Sequence, residues 1–513
     1  MTKLRENREY TVLLNPDGRE IKVQKGQNLR SALASAGIFF PQNCTGKGKC
    51  GHCRVLFETE LPPVQKREAE LLGEHTDYRL ACLQHIQSDC EISIPRLQEW
   101  RIEKNIRDFD FAGRVSRSFG IAIDLGTTVI AFYLADFSQG IITEQYSVLN
   151  PQVHQGGDVM TRLTLARKPE QREALTASVR QGLTDGIKKL LATAQIAVDS
   201  ISTVSLAGNT TMLHLLLGRD GEGLEIAPFR SPLEGRKKLV LDPAWIGLSA
   251  RTKCDLFPVL TGFIGGDTTA AIIAADMDLP EGHRLLIDLG TNGEIVLTAN
   301  GDILATSTAA GPAFEGVGMA AGMPALQGAI EGISDEGDPF VIGGGEPVGY
   351  CGSGYISTIA YLHKAGIIDK TGLIRQDHEN IRRWTPIPQS RQDLYLTQDD
   401  VRKFQLAKAA IAAGIEILCE QAGLDPAQLD EIIVTGSFGN RVTPKSAVAV
   451  GLIPDIPIEK ITFMDNAAGR GALLCLGNSH FVRRAADLPG KVKVVNLGDH
   501  SNFQDIYVAN MSF

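Results

Sequence analysis

One motif, an apolar strand followed by Asp-Leu-Gly-Thr, occurs twice in this chain of 513 residues. The first copy covers residues 121–128 and the second covers residues 285–294, so that Asp124 and Asp288 lie 164 residues apart. That separation is about the length of one domain. A motif repeated at this distance predicts two related lobes that face one another. Strands and helices alternate after residue 117, which predicts that both lobes are of the α/β class.

The turn after the first of these strands has the composition of a phosphate-binding loop. Gly126 permits a tight turn, and the backbone amides and hydroxyls of Thr127 and Thr128 are suited to phosphate oxygens. Asp124 is expected to hold Mg²⁺ through water, because carboxylates commonly bind this ion in that way. One such pentapeptide is a weak signal, but two copies one lobe apart predict a nucleotide site. A doubly wound fold without a nucleotide is the alternative.

Three further segments extend this prediction. Residues 432–440 contain a strand and a glycine turn that could carry an adenosine. Residues 262–267 and 465–469 precede helices of small apolar residues. Such helices are expected to cross between the two lobes at a hinge.

Four cysteines in the N-terminal part predict an iron–sulfur cluster. Cys44, Cys50, Cys53 and Cys82 follow the spacing Cys-x5-Cys-x2-Cys-x28-Cys, and the loop between the first and third is rich in glycine. Thiolates bind soft metals, and backbone N–H groups of such loops stabilise the charged sulfides of a cluster. Structural zinc usually uses two close cysteine pairs, whereas here only Cys50 and Cys53 form one. We therefore predict a [2Fe–2S] cluster, with zinc as the alternative, and we predict that Cys90 is a core thiol.

The residues around these cysteines predict a small sheet that holds one helix. A hairpin is expected over residues 11–23, a helix over 29–36 with Asn28 as its N-cap, and strands over 54–57 and 90–94. The predicted domains in chain order are an iron–sulfur domain over 1–97, a linker over 98–117, a first lobe over 118–280, and a second lobe with a connecting helix and C-terminal segment over 281–513.

The overall composition narrows the choice of partners. The formal net charge of −9 argues mildly against nucleic acid and anionic membranes. The sequence contains no apolar run of about 18 residues, so it predicts no transmembrane helix. The N-terminus does not resemble a signal peptide. We therefore expect a cytoplasmic protein with no nucleic acid and no membrane among its partners.

These motifs resemble those of the actin-like ATPases, a superfamily with a ribonuclease H-like fold. Residues 124–128 look like the first phosphate motif, 288–294 like the second and 434–440 like the adenosine motif, while 265–275 and 465–476 look like the two connecting helices. The x5-x2 cysteine loop resembles that of adrenodoxin-type ferredoxins, which implies an α+β domain of the β-grasp fold. The combination resembles the reductive activators of corrinoid proteins, and the resemblance covers nearly the whole chain.

This resemblance implies a function and a set of site residues. The implied function is ATP-dependent, one-electron reduction of inactive Co(II) to Co(I) in a corrinoid protein, through the cluster and from an external low-potential donor. Asp124 and Asp288 are expected to organise Mg²⁺, and Glu294 or Asp267 to position the attacking water, although Asp267 is also suited to cap a helix. The other expected site residues are the four cysteines for the cluster; Gly126, Thr127, Thr128, Gly290, Thr291 and Asn292 for phosphates; and Gly436 and Ser437 for adenosine.

Three other functions stay open on the sequence. One is an ATP-driven electron donor to another low-potential metalloenzyme, of the (2R)-hydroxyacyl-CoA dehydratase-activator type. Those activators place a [4Fe–4S] cluster between two subunits and lack a ferredoxin domain, which the cysteine framework here contradicts. The others are a redox-regulated small-molecule kinase and a chaperone-like assembly factor. ATP turnover stimulated by a corrinoid protein would separate these possibilities.

A run of small residues before Gly311 and Pro312 is a candidate for contact with the partner. Ser307 and Thr308 are considered for a partner-facing loop, because small residues permit a close approach to a corrin. An ordinary turn between the lobes is the alternative.

Overall fold

A computed structural model divides the chain into two compact units, Met1–Trp100 with His154–Gly157, and Arg101–Val153 with Asp158–Phe513. The structure describes residues 9–15, 18–36, 53–72, 77–94, 118–226, 229–290, 292–316, 318–323, 325, 327–375, 377–378, 381–384, 394–436, 442–476 and 478–513. The predicted linker over residues 98–117 lies outside these ranges. In the part of the chain so described, no helix is both long and apolar enough to cross a membrane.

The N-terminal unit is a five-stranded mixed sheet that holds helix Leu29–Ser35. Its strands lie in the order Arg19–Gln24, Glu9–Asn15, Cys90–Ser93, Arg54–Phe57 and Tyr78–Leu80. The first two form the predicted hairpin, and the second pairs in parallel with the central strand, as in a β-grasp domain. Asn28 caps the helix by accepting a hydrogen bond from the backbone N of Ser31 at 3.2 Å. A second helix, Lys66–Leu72, was not predicted.

The two lobes that follow contain sheets that share the order of five strands, and each has a sixth strand at the opposite edge. The first-lobe sheet runs Leu239–Val240, Lys253–Leu256, Ile201–Gly208, Phe119–Leu125, Val129–Asp136 and Ile141–Leu149. The second-lobe sheet runs Ile461–Phe463, Glu431–Gly436, Arg284–Leu289, Gly293–Ala299, Asp302–Thr308 and Val492–Val494. In both, the motif strand pairs antiparallel with the next strand and parallel with a later one. The predicted duplication is confirmed, and each lobe has the ribonuclease H-like arrangement.

The alternation of side chains along each motif strand directs its aspartate toward the other lobe. On the first strand, the odd-numbered residues pack against helix Pro169–Ala194; they are Ile121, Ile123 and Leu125. On the second strand, the residues that pack against helix Gln398–Gln421 are Leu285, Ile287 and Leu289. The intervening residues face the core between the lobes. Since successive side chains of a strand point to opposite faces, Asp124 and Asp288 lie on the two facing surfaces.

Two helices fill the space between the sheets. They are Gly266–Ala274 and Ala467–Cys475, close to the predicted connecting helices, and their alanine, isoleucine and leucine side chains form one core with both inner sheet faces. A Cβ placed on Gly471 would lie 2.0 Å from the carbonyl oxygen of Ala270. The backbones therefore meet almost directly, which only small residues permit.

The remaining elements complete the lobes. The other helices are Val159–Ala166, Thr210–Leu216, Glu222–Glu225, Gly352–Lys364, Pro444–Ala449, Ser479–Lys491 and Phe503–Ala509. Two further three-stranded sheets belong to the second lobe: Pro339–Val341, Ala329–Ile333 and Gly349–Tyr350, and Asp377–His378, Ile381–Trp384 and Leu396–Thr397.

The crossing of the connecting helices yields a stability prediction. Gly471→Ala should lower the free energy of unfolding by about 1–3 kcal/mol, because the new methyl group must push a backbone carbonyl aside. Gly490→Ala is the matched control, since a Cβ there has no atom within 4 Å; this change should be neutral or stabilising by up to about 1 kcal/mol. Denaturant unfolding monitored by circular dichroism measures both. Equal losses in the two variants would contradict the tight crossing.

Candidate active site

A cleft of about 760 Å³, its open mouth included, lies between the two lobes. Most of the residues predicted to bind the nucleotide line it: Asp124, Gly126, Thr127, Thr128, Asp267, Asp288, Gly290, Asn292, Glu294 and Gly436. Thr291 and Ser437 lie outside the described residues. The two copies of the motif thus converge on one cavity although they are far apart in the sequence.

The first turn is narrow and is held by a neighbouring helix. The backbone N of Gly126 donates to the carbonyl oxygen of Val129 at 3.0 Å, and a Cβ on Gly126 would lie 2.5 Å from that oxygen. The Nδ2 of Asn209 donates to the Oγ1 of Thr127 at 2.9 Å, while its Oδ1 caps helix Thr210–Leu216. The threonine hydroxyl therefore has a defined orientation at the edge of the cleft.

The second turn is shorter by one residue, and this changes its chemistry. Leu289 pairs with Gly293, so Asp288 lies directly opposite Glu294, whereas Asp124 lies opposite an alanine. Residues directly opposed in an antiparallel pair share one face. The second lobe therefore presents two carboxylates to the cleft at the position where the first lobe presents one. The Oγ of Ser307 donates to Glu294 at 3.3 Å and extends this row onto the next strand.

The carboxylates in the cleft perturb one another. Burial raises the pKa of Glu294 well above its ordinary value, and the nearby charges of Asp267 and Asp288 raise it further. Burial also raises the pKa of Asp267 to about 6, with a contribution from Asp124 and an opposing hydrogen bond from the backbone N of Thr268 at 2.8 Å. Such crowding of negative groups favours a site that takes up cations.

Asp267 lies in the first turn of helix Gly266–Ala274, and its side chain lines the cleft. The N-cap of this helix is Gly265, so the alternative role of Asp267 as the N-cap residue is wrong. The expectation of a partner-facing loop at Ser307 and Thr308 is also wrong, because both end strand Asp302–Thr308. Successive side chains of this strand point to opposite faces. Ser307 contacts Glu294 on the side of the cleft, whereas Thr308 is buried on the other side.

The predicted adenosine turn begins beside the second phosphate turn. Gly436 pairs with Leu289 and has φ +133°, and a Cβ there would lie 2.1 Å from the carbonyl oxygen of Leu289. A glycine is therefore required for this close approach. The Oγ1 of Thr435 accepts a hydrogen bond from the backbone N of Ala467 at 3.1 Å, which joins the strand to the second connecting helix.

Several residues that line the cleft were not named individually as site residues from the sequence. They are Val129, Val159, Asn209, Glu315, Thr435, Asn466, Ala467 and Ala468. Asn466 has a left-handed backbone, with φ 35°; it caps the second connecting helix and donates to the hydroxyl of Tyr133 at 2.5 Å. Asn209 and Asn466 each follow a strand and precede a helix, a position that signals an N-cap. No local pattern around Glu315 predicts its place in the site, since only the fold of the second lobe brings this residue to the cleft.

The described half of the cysteine motif has the surroundings of a cluster ligand set. Cys53 and Cys82 are buried, and the backbone N of Cys82 donates to the Sγ of Cys53 at 3.5 Å. Such N–H to sulfur bonds stabilise thiolate ligands. Cys44 and Cys50 lie outside the described residues, and among those described no group of three or more metal-binding side chains occurs. The two cysteines that can be compared therefore fit a [2Fe–2S] cluster.

Cys90 differs from this pair. It lies in strand Cys90–Ser93, it is buried, and burial raises the pKa of its thiol to about 11. A thiol of this kind is inert. The prediction that Cys90 is a core thiol is confirmed.

Models of known protein families match three successive parts of the chain. Residues 12–87 match the family model of the 2Fe-2S iron-sulfur cluster binding domain. Residues 119–280 match the RACo middle region, and residues 282–513 match the C-terminal domain of RACo, the ASKHA domain. The chain thus contains a [2Fe–2S] ferredoxin domain and an actin-like ATPase domain that binds ATP.

Similar proteins span most of the chain. The corrinoid activation enzyme RamQ of Eubacterium limosum is 34% identical over 419 residues, which are 77% of this chain and 70% of RamQ. The [Co(II) methylated amine-specific corrinoid protein] reductase of Methanosarcina barkeri is 23% identical over 435 residues, 77% of each chain. A solved structure of a reductive activator for corrinoid, iron-sulfur protein superimposes with a TM-score of 0.69 and 26% identity over 98% of both chains. The chain therefore belongs to the family of reductive activators of corrinoid proteins.

Proposed function

We propose that this protein returns a corrinoid protein from Co(II) to Co(I) by transferring one electron, and that it hydrolyses ATP to do so. The observation that carries the proposal is the convergence of Asp124 and Asp288, from two equivalent strands, on one cleft in a chain that also carries a [2Fe–2S] domain. The cluster supplies a one-electron carrier when it is bound. An external low-potential donor reduces it.

Mg²⁺ is the cation that we propose for the cleft. Five carboxylate residues line the cleft: Asp124, Asp267, Asp288, Glu294 and Glu315. A nucleoside triphosphate without a cation would therefore meet several charges of its own sign. A hard divalent cation held by carboxylates, as Mg²⁺ is in many phosphate sites, removes this repulsion. We assign this cation to Asp124 and Asp288, and the phosphates to the two turns.

The attacking water needs a group that can accept its proton. Burial raises the pKa of Glu294 well above its ordinary value, and the charges of Asp267 and Asp288 raise it further. Asp267 has a pKa of about 6 and is mostly ionised at neutral pH. A base works best when its pKa lies near the operating pH. We therefore assign the positioning of the water to Asp267 or Glu294, the two cleft carboxylates whose pKa is raised.

ATP is needed because the electron must move to an acceptor of low potential. Plant-type [2Fe–2S] centres lie near about −400 mV, and the Co(II)/Co(I) couple is expected to lie lower. For one electron, about 59 mV corresponds to a tenfold change in the equilibrium. A nucleotide-driven change between the lobes can close such a gap if it removes a ligand or contact that stabilises the Co(II) form of the partner.

The cluster assignment predicts different effects for two buried cysteines. Cys82→Ser should abolish the [2Fe–2S] cluster, because it removes a thiolate ligand. Cys90→Ser should retain it, because that thiol is a core residue on a strand. Iron and sulfide analysis, together with the EPR signal of the reduced protein, measures the outcome. Stoichiometric zinc, or cluster loss in both variants, would contradict the assignment.

The nucleotide assignment predicts a loss of turnover without a loss of the cluster. Asp288→Asn should lower ATP hydrolysis and ATP-dependent Co(I) formation on the order of 10²-fold, because it removes a charge that organises the cation. Asp302→Asn is the control on the same sheet, where the carboxylate pairs with exposed Lys493 at 2.7 Å. The control should hydrolyse ATP like the parent. If Asp288→Asn forms Co(I) at the ATP-dependent rate of the parent protein, the second motif has no catalytic role.

The coupling to the partner predicts which state stimulates ATP turnover. A Co(II) corrinoid protein should increase the rate of ATP hydrolysis more than the Co(I) or methylated forms, because a partner shifts the lobes only through differential affinity. Phosphate release measured with each form tests this. Equal stimulation by all three, or phosphoryl transfer to a small molecule, would favour a kinase or an assembly factor.

A further inference from the structure

A buried arginine lies directly behind the first phosphate turn. Arg162 belongs to helix Val159–Ala166 and is fully buried. Its Nη2 donates to the carbonyl oxygen of Thr127 at 2.7 Å, and its Nη1 donates to the Oε1 of Gln152 at 3.2 Å. Burial lowers the pKa of Arg162 to about 9, against an opposing effect of Asp158, so the side chain is a cation at neutral pH.

The other two carbonyl groups of the turn are held by the same network. The Nδ2 of Asn150 donates to the carbonyl oxygen of Gly126 at 2.9 Å, and its backbone N donates to that of Thr128 at 2.8 Å. The Oδ1 of Asn150 accepts from the backbone N of Gln152 at 3.0 Å. Since Gln152 also accepts from Arg162, one connected set of buried groups holds three successive carbonyls.

This network determines where the amide groups of the turn point. In a planar trans peptide, the carbonyl and the N–H that follows it point in opposite directions. With the carbonyls of Gly126 and Thr127 bound to the buried network, the N–H groups of Thr127 and Thr128 point toward the cleft that both residues line. Neither N–H has an acceptor within the described chain. Successive N–H groups that point to one side form an anion-binding concavity.

We propose that Arg162 and Asn150 are positioning residues, which orient these two amides toward the phosphates of the nucleotide. Neither side chain lines the cleft, so they act through the turn and do not touch the ligand. The inference rests on the proposed function for the identity of the ligand. It predicts that loss of the network weakens the binding of phosphates and spares the binding of adenosine.

Two arginine variants test this prediction. Arg162→Gln should reduce the affinity for ATP and ADP by about tenfold or more, because a charged hydrogen bond that orients the turn is lost. Its affinity for adenosine should change by less than about twofold. Arg180→Gln is the matched control: Arg180 donates to the carbonyl oxygen of Leu216 at 3.0 Å and lies over the ring of Trp245, away from the cleft. The control should bind all three ligands like the parent.

Titration calorimetry at constant Mg²⁺ measures the affinities for ATP and ADP, and ligand-observed NMR measures the affinity for adenosine. An unchanged affinity of Arg162→Gln for ATP, or an equal loss for ATP and adenosine, would overturn the inference and leave the proposed function intact. A parent protein that binds no nucleotide would overturn both. If Arg162→Gln does not fold, the variant Asn150→Asp tests the inference instead. It keeps Arg162 and keeps a side-chain oxygen that accepts from the backbone N of Gln152, but it removes the N–H group that donates to the carbonyl oxygen of Gly126. It should show the same selective loss.

Discussion

The ATPase part of this protein depends on one close contact, the crossing of helices Gly266–Ala274 and Ala467–Cys475. At Gly471 the backbone of the second helix meets the carbonyl of Ala270 without an intervening side chain. Both helices begin at the cleft, and both pack on the inner faces of the two sheets. Their small residues let the sheets approach until the turns of the two motifs share one cavity. We expect a nucleotide in the cleft to alter the relation of the lobes through this crossing.

The two lobes are related by their strand order, but their turns are not equivalent. The second turn is one residue shorter, and it sets Glu294 opposite Asp288 where the first lobe has an alanine opposite Asp124. The first turn is instead supported by buried donors that hold its carbonyls. One lobe thus contributes oriented amides, and the other contributes an additional carboxylate. This division suits a phosphate–cation pair, in which the anion and its cation need opposite kinds of group.

The iron–sulfur domain adds the redox chemistry as a separate fold. Cys53 and Cys82 belong to the hydrophobic core of the N-terminal unit, which is separate from the cores of the lobes. The matched family models likewise assign residues 12–87 and the later parts of the chain to different domains. Electron carriage and nucleotide chemistry are therefore built from different residues, so each can be removed while the other is measured.

Local sequence determined the parts of this protein that rest on short-range patterns. Features that depend only on near neighbours could be predicted from the sequence. They are the alternation around Asp124 and Asp288, the glycine turns that follow, the cap at Asn28 and the cysteine spacing. Tertiary structure decided the rest. Glu315 reaches the cleft, Ser307 ends a strand, and Arg162 lies behind a turn 35 residues away in the chain. No local pattern encodes these positions, because each follows from how sheets and helices pack across the lobes.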